Sequence, residues 1–284
     1  MSGDFLAQMA AGSRERVRAA QRACSDAALL ARARAAAQPP LLQRSPAGFD
    51  LIAELKWRSP AAGQLRSAGE DVAALVVAYA QAGAAAVSVL TEPSRFDGSM
   101  AHLEIAARAL VPLRVPAMRK DFLVDPYQVS EARLAGAAGV LVILRMLPPA
   151  QIEALLERAH TLGLFVLLEA FDEYDIELLH GLVARQARPL SGLLAGVNCR
   201  DLSTLRVVPG RLEQLVPLLP TSMARVAESG VGSADDARRV AAAGYDLALV
   251  GSALMQGGDP HALASAMLQA GRAVRRAALP GARS

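Results

Sequence analysis

Residues 51–64 read LIAELKWRSPAAGQ, a short apolar run that delivers two opposite charges to one point. A buried parallel strand over 51–56 sets Glu54 and Lys56 two residues apart, so both side chains point to the same side. Ser59, Pro60 and Gly63 follow in a loop. An acid and a base at the C-terminal end of such a strand form a layout for a polar site on an apolar scaffold. The same residues also fit a buried ion pair or an edge strand with one wet face, and the rest of the chain decides between these.

From Leu51 to about Gly271 strands and helices alternate. Strands are predicted at 51–56, 85–90, 115–118, 139–144, 164–169, 194–198, 225–228 and 247–250. Between them lie helical patterns such as 71–81, 126–134, 149–162, 173–182 and 234–243, each long enough to cross over a sheet. Asp125 before Pro126 and Ser233 before Ala234 are helix-start chemistry, and Gly83, Gly136 and Gly244 stand where a left-handed residue can stop a helix. Eight βα units with near-continuous apolar strands fit a closed α/β (β/α)8 TIM barrel better than an open sheet, which requires no fixed count. Upstream, residues 2–37 read as one or two helices with Phe5, Leu6 and Met9 as the first apolar stripe, ended by Pro39 and Pro40. The expected organisation is a helical extension at 1–48 covering one end of the domain, the barrel at 49–272 and a tail at 273–284. A transit peptide is the weaker reading of the Arg-rich start, because acidic residues count against it.

At 284 residues the chain can bury a large core, and 53% hydrophobic with only 4% aromatic residues calls for a core of Ala, Val, Leu and Ile. A net charge of +3, with Arg scattered along helices and no aromatic interleaving, argues against nucleic acid as a partner. Cys24 and Cys199 make neither a disulfide framework nor a metal cluster, which points to a reducing compartment. No apolar run reaches the roughly 18–20 residues of a membrane span. The expectation is a soluble, cytoplasmic protein with no membrane partner.

In a (β/α)8 barrel, polar groups at the C-terminal strand ends face the active site. Here strand one ends in Glu54 and Lys56, strand three runs into Arg119, Lys120 and Asp121, and strand five ends in Glu169. Strand six ends in Asn198 with Arg200 just beyond, and strand seven in Glu228, Ser229 and Gly230. Together with Gly251 and Ser252 after strand eight, Ser229 and Gly230 allow backbone N–H groups to converge on a phosphate. The substrate is expected to be a phosphate ester. Lysines and glutamates crowded into a partly dry mouth perturb one another's pKa values, with Lys120 or Lys56 as general acid and Glu169 as general base. No Ser-His or Cys-His arrangement, His cluster suited to a metal, or GxGxxG is present, although a Schiff-base lysine stays open. Phe96, Phe122, Trp57, Pro60 and Leu202 share the same tier of loops, where an apolar slot would suit an aromatic ring.

Seven blocks of the chain carry a resemblance to a known family: IAELKWRSPAAG (52–63), SVLTEPSRFDGS (88–99), RKDFLVDPYQV (119–129), LLEAFDE (167–173), GVNCRDLSTL (196–205), AESGV (227–231) and LVGSALM (249–255). In this order they closely resemble the indole-3-glycerol-phosphate synthase family of tryptophan biosynthesis, over residues 5–270. The resemblance implies a barrel whose N-terminal helices close over the active site, and a carboxy-lyase that needs no cofactor. It implies ring closure of 1-(2-carboxyphenylamino)-1-deoxyribulose 5-phosphate to indole-3-glycerol phosphate. By that analogy Lys120 protonates the ribulose carbonyl, Glu169 is the base for dehydration, and Lys56 contacts the substrate's anionic groups or acts as a second acid. Glu54 and Glu228 hold the lysines, and Asn198 and Arg200 orient the substrate, Arg200 meeting its carboxylate. Ser59, Ser229, Gly230, Gly251 and Ser252 fall on phosphate or loop positions; Pro60, Phe96, Phe122 and Leu202 fall on the ring pocket. Phe171 stands where many relatives have His, and Trp57, Arg58, Arg145 and Met146 also depart from the pattern. Cys199 reads as a spacer. The implied partner is a small phosphorylated anthranilate-sugar, and the implied state is a monomer or weak homodimer. Two alternatives are a paralogue acting on a ring-modified anthranilate and an inactive relative retained for binding or assembly. The intact Glu54, Lys56, Lys120, Glu169, Asn198 and Glu228 set argues against the latter.

Overall fold

A computed structural model describes residues 2–66, 70–185, 190–202, 204–256 and 258–277. Eight parallel strands close into a barrel, here β1 (Asp50–Leu55), β2 (Ala86–Leu90), β3 (Ala117–Lys120), β4 (Gly139–Ile143), β5 (Phe165–Ala170), β6 (Leu193–Asn198), β7 (Ala224–Glu228) and β8 (Leu247–Val250). Each strand pairs with its sequence neighbours, and β1 closes the ring by pairing with both β2 and β8. The predicted caps are present: Asp125 forms a capping box with Gln128, and Ser233 accepts from Asp236 N. Gly83, Gly136 and Gly244 all take positive φ at the predicted helix ends.

Alternation along each strand sorts the buried side chains into two cores. Leu51, Ala53, Leu55 and Trp57 face outward into the shell between strands and helices, while Ile52 belongs to the barrel interior. Met118 and Phe122 of the third unit, Phe165, Leu167 and Phe171 of the fifth, and Leu247 and Leu249 of β8 share that interior. The polar residues that cap it obey the same parity: Glu54 and Lys56 continue from Ile52, Lys120 from Met118, Glu169 from Leu167.

Two N-terminal helices, α1 (Ser2–Ala23) and α2 (Asp26–Ala35), precede the barrel, and α1 lies over its C-terminal mouth. Phe5, Leu6 and Met9 of α1 pack with Phe122 and Phe171 in the interior cluster. Arg16 pairs with Asp121 at 2.8 Å, and Gln128 donates to Ser13 Oγ at 2.8 Å. Arg158 grips Asp26 of α2 through both guanidinium N–H groups, at 2.9 and 2.8 Å. The buried Arg133 donates to Ala36 O at 2.8 Å, closing the end of α2.

Three expectations are corrected. Residues 119–120 lie within β3 rather than beyond it, while Lys56 falls just past the end of β1. Arg119 turns away from the mouth, because it is out of phase with Lys120; buried, it donates to Thr91 Oγ1 at 3.1 Å and pairs with Asp121 and Glu131, each at 3.1 Å. The last helix runs Pro260–Ala277, so 273–277 continue it, and the rest of the expected tail, 278–284, lies outside the described residues. None of the described helices is long and apolar enough to cross a membrane.

Candidate active site

A cavity of about 450 Å³ opens at the C-terminal mouth, within the range of small-molecule sites. Sixteen of the residues that the sequence points to line it: Glu54, Lys56, Ser59, Pro60, Phe96, Lys120, Phe122, Glu169, Asn198, Arg200, Leu202, Glu228, Ser229, Gly230, Gly251 and Ser252. Trp57 is the exception among the loop residues. Its parity sends it into the outer shell, where Nε1 meets His102 Nδ1 at 3.3 Å and the two rings stand edge to face.

Lys120 is the hub of the polar floor. Its Nζ lies 3.3 Å from Glu169 Oε2 and 3.5 Å from Glu228 Oε2, while Lys56 Nζ pairs with Glu54 Oε1. The three glutamates are at most 2% exposed. Three carboxylates facing two ammonium groups leave one excess negative charge in a poorly solvated place, so the cluster tends to retain a proton. Burial alone would depress the Lys120 ammonium, but the charges of Glu169, Glu228 and Glu54 outweigh it and hold its pKa above the usual lysine range. Burial, and then the neighbouring Glu169, push the Glu228 carboxyl up from 4.5 to about 8, against the pull of Lys120. Lys120 is thus charged at neutral pH, and the crowding of carboxylates is felt most at Glu228.

Asn198 fixes the far side of Glu169. Its Oδ1 accepts from Arg200 N at 2.9 Å, which turns its Nδ2 toward Glu169 Oε1 at 2.6 Å. Glu169 is therefore held from both oxygens, by an amide and by an ammonium. The Arg200 guanidinium is partly committed, donating from Nη1 to Leu205 O at 2.8 Å, and Val207 forms a bridge with Arg200 to close that loop.

The lining divides by position around the barrel. β7 and β8 are neighbours, and their loops bring Ser229, Gly230, Gly232, Gly251 and Ser252 together. Ser229 and Gly230 both adopt φ 64, an unusual left-handed pair for which only the second residue is well suited. Across the barrel, Phe122 after β3 stacks loosely on Phe96, 6.1 Å between centroids, and edge-on to Phe5, 5.9 Å. Phe5 and Phe171 also line the cavity. The first read as packing of the N-terminal helix and the second as a family departure; only the closure of α1 over the mouth and the parity of β5 put them here.

Two glycines make room for the charges. A Cβ on Gly251 would collide with Glu54 Oε1 and lie 2.9 Å from Lys56 Nζ, and a Cβ on Gly196 would collide with Glu228 Oε1. Gly196 carried no signal in the sequence beyond its place two residues before Asn198. Cys199 is buried, and its Sγ would lie 2.8 Å from a Cβ on Gly230.

A closed parallel barrel whose strand ends bring ammonium and carboxylate groups together under a helical cover defines the class: an acid–base enzyme on a (β/α)8 scaffold. Solved structures of this fold include 3-hexulose-6-phosphate synthase from Salmonella typhimurium, with TM-score 0.59 and 16% identity over 79% of this chain and 99% of that one. Thiamine phosphate pyrophosphorylase from Pyrococcus furiosus gives 0.57 and 15% over 80% and 97%. At such identities they bear on the fold alone. The family model for indole-3-glycerol phosphate synthase matches residues 6–267. The chain is 45% identical to the indole-3-glycerol phosphate synthase of Parafrankia sp. (strain EAN1pec) over 221 residues, 78% of each chain. It is 42% identical to that of Mycolicibacterium smegmatis over 243 residues, 84% of this chain and 85% of the relative. The chain belongs to the indole-3-glycerol phosphate synthase family.

Proposed function

We propose that the protein is a carboxy-lyase that closes the indole ring, converting 1-(2-carboxyphenylamino)-1-deoxyribulose 5-phosphate into indole-3-glycerol phosphate, carbon dioxide and water. The observation that carries this reading is Lys120, held within 3.5 Å of both Glu169 and Glu228 between an aromatic arc and the β7 and β8 loops. The phosphate lies against Ser229, Gly230, Gly251 and Ser252, where small residues expose backbone N–H groups. The anthranilate ring lies against Pro60, Phe96, Phe122 and Leu202. Arg200 and Lys56 face its carboxylate.

Lys120 then donates its proton to the ribulose carbonyl oxygen as the ring carbon that bears the carboxylate attacks the carbonyl carbon. One C–C bond forms and the carbonyl becomes a hydroxyl. Loss of carbon dioxide returns its bonding electrons to the ring and restores aromaticity. Glu169 takes a proton from the carbon beside nitrogen while the new hydroxyl departs as water, protonated by Lys56. Glu54 and Glu228 hold the two lysines in place, and Asn198 keeps Glu169 aimed. General acid–base steps of this kind are worth about 10²–10⁴-fold each.

The partner is a small phosphorylated molecule, and the setting that fits the composition is the cytoplasm, with the chain a monomer or weak homodimer. Trp57, one support for a ring-modified substrate, faces away from the cavity, which weakens that alternative. The test is fluorescence detection of indole product from the purified protein with the unsubstituted substrate. Product formation is expected; a folded protein that yields none contradicts the proposal.

A further inference from the structure

Phe171 and Leu202 line two cavities at once: the one at the mouth and a second, of about 470 Å³, bordered by Ala10 and Arg14 of α1, Arg145 and Arg211. Cavities that share side chains share a wall. Phe171 is pinned in that wall from two directions. Its backbone N–H donates to Asp175 Oδ2 at 2.7 Å, and the Arg145 guanidinium lies 4.8 Å from its ring centroid. The same Asp175 oxygen accepts from Arg145 Nε at 2.8 Å, and Arg145 Nη2 pairs with Asp172 at 2.5 Å. Asp175 is fully buried, so the Phe171 backbone and the guanidinium beside its ring are held by one carboxylate. A planar cation held over a ring face at this distance is an attractive contact that a flexible ammonium reproduces only in part.

Three guanidinium groups, of Arg14, Arg145 and Arg211, and two carboxylates, of Asp172 and Asp201, border the far side of the wall, which leaves one positive charge in excess. Arg14 and Arg211 have no carboxylate partner among the described residues, whereas Arg145 is occupied by Asp172 and Asp175. Asp201 also borders the cavity but is already engaged.

We infer that Phe171 sets the size limit of the ring slot, that Arg145 is the positioning residue that holds it there, and that the cavity behind it accepts a negatively charged ring substituent once the wall is lowered. This rests on the functional reading above and adds what limits the size of a substituent on the ring. One extra group in an apolar slot changes discrimination by roughly 10–200-fold, so the effect is large enough to read.

The experiment measures kcat and KM of the full chain with the unsubstituted substrate and with ring-methylated and ring-carboxylated derivatives. In Phe171→Ala the kcat/KM ratio of carboxylated to unsubstituted substrate is expected to rise roughly ten-fold or more, and in Phe171→Leu by less. Arg145→Gln is expected to move the same ratio in the same direction, mainly through KM, with Arg145→Lys intermediate. Adding Arg14→Gln and Arg211→Gln to Phe171→Ala should cancel the gain for the carboxylated derivative and spare it for the methylated one. An unchanged ratio in Phe171→Ala and Phe171→Leu overturns the wall; an unchanged ratio in Arg145→Gln that only melts earlier makes Arg145 a purely structural residue. A wild type that turns over none of the three overturns the functional reading instead. In that event calorimetric binding of ring-carboxylated anthranilate, tighter to Phe171→Ala than to wild type, still supports the wall, and equal binding removes it.

Discussion

Glu228 occupies the space that a side chain on Gly196 would need: a Cβ there collides with Glu228 Oε1 and lies 2.9 Å from Leu167 Cδ1. A strand that passes this close to a buried carboxylate cannot accept even a methyl group without moving it. Since Glu228 is one of two carboxylates on Lys120, the glycine sets the surroundings of Lys120 from a neighbouring strand.

Gly196→Ala is therefore predicted to cost about 1–3 kcal/mol of stability through overpacking and to lower kcat by roughly ten-fold or more, equivalent to about 1.4 kcal/mol of barrier. Urea unfolding and steady-state turnover check the two together. A variant with wild-type turnover would show that Glu228 can leave its place without consequence for Lys120.

Glu228 also makes stability depend on pH. Its folded pKa is raised from 4.5 to about 8, so between these values the folded chain holds a proton that the unfolded chain has released. Stability from this group is complete below pH 4.5 and is lost as pH rises toward 8. Glu228→Gln, which cannot ionise, is predicted to remove that part of the decline. Unfolding free energies of both proteins across this window should diverge with increasing pH, the variant falling less; parallel curves would contradict the assignment of the proton to Glu228.

Arg16 couples the cover to the floor. It reaches from α1 to Asp121, which also accepts from Thr91 Oγ1 at 2.8 Å and pairs with the buried Arg119. Asp121 immediately follows Lys120, so the position of α1 is linked to the strand that carries Lys120. Arg16→Met is predicted to raise KM several-fold more than it lowers kcat, and to speed amide exchange in α1, because a half-buried ion pair contributes on the order of 1 kcal/mol. Unchanged exchange in α1 would show that Phe5, Leu6 and Met9 hold the helix without it.

Much of this was legible because side-chain parity is a strict rule along a strand. Glu54 and Lys56 were placed on one face from their spacing, and the structure keeps them paired. The third strand runs two residues later than its apolar pattern predicts, so Arg119 and Lys120 fall on opposite faces. The apolar signal of that strand is only Ala117 and Met118 before the charges begin, so its end was hidden. Trp57 is the parity partner of Leu55 and was outward for that reason. What no sequence pattern supplied was the reciprocal fit between strands: Gly196 under Glu228, Gly251 beside Glu54, and Asn198 turned by the Arg200 amide toward Glu169. These depend on the stagger of neighbouring strands, which composition and periodicity do not encode.

The central claim is that Lys120 donates the proton that lets the ring close. It is tested most directly by kcat for indole formation in Lys120→Ala beside wild type, with circular dichroism to confirm that both are folded. A fall of about 10²–10⁴-fold is expected; a folded Lys120→Ala protein that turns over at the wild-type rate would contradict the role of Lys120 as the proton donor.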